Sequence, residues 1–154
     1  QAAEKNAVLY SNSKTPHSIR QVVKVSVGGD LIRLKLSNIY SSEPVVIRSV
    51  YIAHAKDSFS INAKSAEYLK FGGKYKTVIP AGKAIESDPL KFDLKALERV
   101  AITINYTSAP AKPTIHPGSR TTSYIIKGVT NAHSNFEKAL HVNHWPLQAS
   151  TSGR

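Results

Sequence analysis

From Ile19 the chain alternates between apolar and polar positions. Ile19, Val23, Val25 and Val27 share one parity and Arg20, Lys24 and Ser26 the other, with Val22 as the apolar exception. A period of two describes a half-buried strand. Gly28-Gly29-Asp30 then predicts a tight turn, since glycine reaches positive φ without a Cβ clash. Ile32, Leu34 and Leu36 alternate with Arg33, Lys35 and Ser37 beyond it, so residues 19–37 read as a hairpin. The same strand-and-turn grammar recurs in Val46–His54, in Tyr68–Phe71 ending at Gly72-Gly73, and in Lys76–Ile79 stopping at Pro80-Ala81-Gly82. It returns in Leu90–Phe92, Val100–Asn105 and Thr121–Lys127. Many short strands between Gly/Pro turns predict an all-β fold, an antiparallel β-sandwich of jelly-roll-like form. The helical candidates, Asp93–Arg99 and Asn135–Leu140, are too short to serve as crossovers in a parallel sheet.

A length of 154 residues fits one domain. Its expected divisions are a polar N-terminal extension over 1–18, the sandwich over 19–130, and a C-terminal tail or junction over 131–154. Ala109–Pro117, with three prolines, reads as a stiff loop. The absence of cysteine excludes disulfides, a thiolate nucleophile and Cys-based zinc sites. No apolar run approaches the ~18 residues of a membrane helix. Gln1 stands where a translation start would place Met, and Ala2-Ala3 follow it, which fits removal of a secretory signal peptide. The expected location is therefore secreted, periplasmic or cell-surface.

Most routes to chemistry close quickly. No Gly-x-Ser-x-Gly elbow is present. Composition always permits a Ser-His-Asp set, and nothing nominates one. Glu86 and Asp88 fall in a turn rather than on opposite sides of a cleft. His133, His141 and His144 match no metal-binding scaffold, and no metal or other cofactor is expected. The net charge of +11 attracts polyanions. The lysines, however, come singly between apolar residues, as outward strand positions do, so nucleic acid is not the expected partner. Tyr68, Lys70, Phe71, Lys74 and Tyr75 interleave rings with charge, but strand core or turn packing accounts for them more simply than base stacking. Two polar blocks carry more weight: Ser37-Asn38, and His116 through Tyr124 around a Pro-Gly turn. Arg120 is a fork-shaped donor there and Tyr124 a platform. Arg20, Asn38, His116, Arg120, Thr122 and Tyr124 form the candidate ligand-binding or domain-contact set, with no catalytic residue among them.

Four blocks in order carry a resemblance. They are Ile19–Asp30 continued through Ile32–Asn38, Leu69–Gly73 with Val78–Gly82, Ser87-Asp88-Pro89-Leu90, and His116–Tyr124. Together they resemble the N-terminal β-sandwich region of secreted bacterial GDSL-type (SGNH) esterases and lipases, over about residues 17–128. In that family a separate flavodoxin-like hydrolase domain follows and holds the Gly-Asp-Ser nucleophile, the oxyanion-hole residues and a late Asp-x-x-His. None of these blocks maps onto a residue here. The resemblance implies a noncatalytic accessory domain partnered by an SGNH hydrolase domain, in cis or as a second chain. The alternative expectation is a carbohydrate-binding module, with a polysaccharide as partner.

Overall fold

The computed structural model describes residues 16–24, 29–38, 43–57, 59–96, 98–108, 123–142 and 148–153. Eleven strands lie among them. They are β1 (His17–Lys24), β2 (Gly29–Ser37), β3 (Val45–His54), β4 (Glu67–Tyr68), β5 (Thr77–Ile79), β6 (Ala84–Glu86), β7 (Leu90–Leu94), β8 (Arg99–Ser108), β9 (Ser123–Lys127), β10 (Leu140–Val142) and β11 (Gln148–Gly153). One sheet runs β10-β9-β1-β8-β3-β4, with β5 also paired to β3; the other runs β11-β2-β6, with β7 also paired to β2. Every pairing is antiparallel. The fold is all-β, two antiparallel sheets packed face to face.

The period-two pattern places the core. Ile32, Leu34 and Leu36 of β2 meet Ile19 of β1, Val50 and Ile52 of β3, and Val100, Ile102 and Ile104 of β8 in one buried cluster. Phe92 and Leu94 of β7 close it from the smaller sheet. Burying a side chain of this kind is worth about 1.5–3 kcal/mol, so these alternating positions hold the two sheets together.

The expected hairpin over 19–37 does not form. β1 pairs with β8 and β9, while β2 pairs with β6, β7 and β11 in the opposite sheet. Gly29 and Asp30 belong to β2, and residues 25–28 lie outside the described residues. Alternation specifies which face of a strand is apolar; it does not specify the neighbour. Here the two apolar faces meet across the core instead of lying side by side.

Neither helical candidate is helical. Asp93–Arg99 holds the end of β7, a turn and the start of β8. Leu94 is buried in the core as a strand residue, and Glu98 Oε2 accepts a hydrogen bond from the Lys95 amide at 2.9 Å, which closes the turn. Residues 135–139 run without regular structure into β10. The segment from 131 onward supplies β10 and β11, which extend the larger and smaller sheets respectively. No helix among the described residues is long and apolar enough to cross a membrane.

Candidate functional site

At β1 the larger sheet is buried on both faces. On β1, residues 17–21 are all buried, Ser18 and Arg20 as completely as Ile19. Two irregular segments, around 56–63 and 129–139, cover the sheet face that points away from the core. Phe59 and Phe136 descend from them onto Tyr124, Val22, Ile126 and Ala139, making a second apolar cluster. Val22, the off-parity residue of the first strand, thereby finds its packing partners.

Strand register aligns a polar row beneath this cover. Tyr124 on β9, Arg20 on β1, Thr103 on β8, Tyr51 on β3 and Tyr68 on β4 stand opposite one another in successive antiparallel pairs. Directly opposed residues share a face, so the row is a consequence of pairing alone. Arg20 is its centre and is 1% exposed. Its Nε donates to Thr103 Oγ1 at 2.8 Å, Nη1 to the Phe59 carbonyl at 2.7 Å, and Nη2 to Tyr51 Oη at 3.0 Å. The guanidinium also lies over the Phe136 ring, 3.8 Å from its centroid. Burial pulls the Arg20 pKa below its usual value, and the Tyr51 phenol opposes part of that shift.

A neighbouring row locks the cover down. Ser18, Asn105 and Ser49 are in register on β1, β8 and β3. Ser18 Oγ donates to Asn105 Oδ1, and Asn105 Nδ2 donates to Ser49 Oγ and to the Thr130 carbonyl, each at 3.0 Å. The Thr130 amide returns a bond to Asn105 Oδ1 at 2.9 Å, and Tyr51 Oη donates to the Asn131 carbonyl at 3.0 Å. Segment 130–131 is thus fastened to the sheet by side chains whose own polar atoms are satisfied, as burial demands.

Between the two covering segments opens a cavity of about 380 Å³ lined by Arg20, Lys56, Phe59, Ser60, Ile61, Ala63 and residues 132–136. Two further basic residues, Lys56 and His133, stand on its walls, and no carboxylate lines it among the described residues. Among the described residues, no carboxylate lies within ion-pair distance of Arg20; the pairs present are Arg33 with Glu86 and His54 with Glu98. The arrangement can receive an anion.

The candidate set divides accordingly. Arg20 forms part of the cavity lining. Tyr124, its register neighbour, is buried and meets Phe59 edge-on with ring centroids 6.1 Å apart. Asn38 stands elsewhere, buried at the end of β2 in the smaller sheet. Its Nδ2 donates to the carbonyls of Glu43, Ile79 and Pro80 at 2.9, 3.2 and 3.4 Å, which ties loops together. His116, Arg120 and Thr122 lie outside the described residues. The sequence nominates none of Lys56, Phe59, Ser134 and Phe136, and it offers His133 only among the histidines open to a Ser-His-Asp set or a metal. Their signal was faint: isolated large rings, Phe59 and Phe136, inside otherwise polar loops.

The interleaved rings near residue 70 meet the expected core or turn packing only in part. Phe71 packs against the core, but Tyr68 and Tyr75 are 40% and 51% exposed. Those two meet edge-on at 6.0 Å, with Lys70 Nζ 5.5 Å from the Tyr75 ring centre.

In comparison with known proteins, the chain matches no protein-family model and no curated protein.

Proposed function

We propose that this chain is a noncatalytic accessory β-sandwich of an SGNH/GDSL-type carboxylic-ester hydrolase, supporting the hydrolase domain and shaping substrate access. One observation supports the reading: three of the four blocks that bear the resemblance engage one another. Ser87 and Leu34 exchange two hydrogen bonds, Leu34 N to Ser87 Oγ and Ser87 N to Leu34 O, both at 2.8 Å. The Asp88 carboxylate accepts from the Gly72 and Gly73 amides at 3.0 and 2.8 Å, and the Asp88 amide donates to Lys70 O at 2.7 Å. Asn38 closes the circuit through Lys83 O and Gly82 N at 2.8 and 3.0 Å. Polar residues fifty positions apart, Asn38 and Asp88, are thus spent on one structural framework. We read the sandwich as jelly-roll-like because β1, β2 and β3, then β7 and β8, alternate between the sheets.

The test is kinetic. The chain alone is expected to leave a p-nitrophenyl ester unhydrolysed, and joined to an SGNH domain it is expected to alter that domain's KM or Tm. Unchanged kcat, KM and Tm in the joined protein, or hydrolysis by the sandwich alone, would overturn the reading. A carbohydrate-binding module is the second reading, favoured by the exposed Tyr68–Tyr75 pair beside Lys70.

A further inference from the structure

We propose that the cavity over Arg20 is a binding site for the carboxylate of a small molecule about the size of a monosaccharide. The partners of Arg20 do not require a cation. As a bolt across β1, β8, β3 and the 59 loop it bonds three neutral acceptors: a hydroxyl, a carbonyl and a phenol. Neutral donors would serve those acceptors without the desolvation cost that a buried charge carries. The guanidinium is 1% exposed and has no carboxylate counterion in reach among the described residues.

Donor arithmetic agrees. A guanidinium has five N–H groups. Three are engaged, one on each nitrogen, so each terminal nitrogen keeps a second N–H. Paired donors of this kind suit the two oxygens of a carboxylate.

The walls specify the rest of the ligand. Lys56 and His133 add basic groups, Ser60, Ser134 and Asn135 supply hydrogen-bonding side chains, and Phe59 and Phe136 supply ring surface. A volume of about 380 Å³ exceeds what one inorganic ion fills and sits within the ~300–1,000 Å³ of small-molecule pockets. A hexuronate combines a carboxylate, several hydroxyls and an apolar ring face in that size. The site does not depend on the chain's serving a hydrolase: a chain that binds a uronate yet leaves every joined esterase unchanged keeps the site and loses the other reading.

Titration calorimetry of the whole chain tests it, with glucuronate, galacturonate, glucose and inorganic phosphate as probes. At least one uronate is expected to bind, glucose not to bind, and phosphate to bind at least about tenfold more weakly than that uronate. Lys56→Glu reverses a charge on the wall without entering the hydrogen-bonded row. It is expected to weaken uronate binding about tenfold at low salt while leaving Tm in place. The proposal is overturned if neither uronate binds at millimolar concentration, if glucose binds as well as glucuronate, if phosphate equals the better uronate, or if Lys56→Glu leaves uronate affinity unchanged.

Discussion

Arg20 shows how one residue serves two opposing demands. Its stem and guanidinium fill the space over Phe136, while its charge is held away from water with only neutral acceptors around it. Truncation and neutralisation should therefore separate. Arg20→Ala removes packing and three hydrogen bonds and is expected to cost about 3–5 kcal/mol in urea unfolding. Arg20→Met keeps most of the volume and sheds the desolvation cost, so it should recover at least about 1 kcal/mol of that loss. Equal destabilisation by both would mean that the charge itself costs the fold nothing. Asn38 makes a simpler case. Asn38→Asp turns a donor that reaches three carbonyls into an acceptor facing them, and a fall in stability of about 2 kcal/mol or more is expected in the same assay.

Among the elements, the Gly72-Gly73 turn depends on backbone geometry and on one distant carboxylate. Both glycines have positive φ, 61° and 82°, and Phe71 and Lys74 bond across them as a two-residue hairpin. A Cβ at Gly73 would meet nothing within 4 Å, so the cost of Gly73→Ala is backbone strain alone, about 1–2 kcal/mol. Asp88→Ala leaves that backbone unaltered and removes the acceptor of both glycine amides. Faster hydrogen exchange at the Gly72 and Gly73 amides, with core strands β3 and β8 unchanged, is the expected result. Strand positions were legible because a buried face imposes period two: β3, β5, β7, β8 and β9 fall where alternation and turn residues put them. Partners were not, and the first two strands show why. The alternation in Ile19–Leu36 is satisfied equally by a hairpin and by two strands facing each other across a core. β6 and β11 escaped because three residues, or a Ser/Thr-rich run, carry too little apolar contrast.

At the scale of the molecule, two layers of organisation coexist. Between the sheets lies an ordinary apolar core, and the alternation of β1, β2, β3 and β8 announced it. Over the outer face of the larger sheet lies a second, partly polar layer made by irregular segments with no period to read. Arg20 was legible as a polar residue on a strand; its burial was not, because Phe59 and Phe136 come from loops 39 and 116 positions away. Tyr124 was singled out as a surface platform beside Arg120, whereas the layer encloses it. If the accessory reading holds, this framework exists to carry and position something else, and that something is specified in the gene. The most direct measurement is the reading frame beyond the codon for Arg154. The account predicts that it continues into a Gly-Asp-Ser block and, later, an Asp-x-x-His block of an SGNH hydrolase, or that such a domain is encoded as a separate partner that co-purifies with this chain. A stop codon directly after Arg154, with no esterase activity co-purifying, would contradict it.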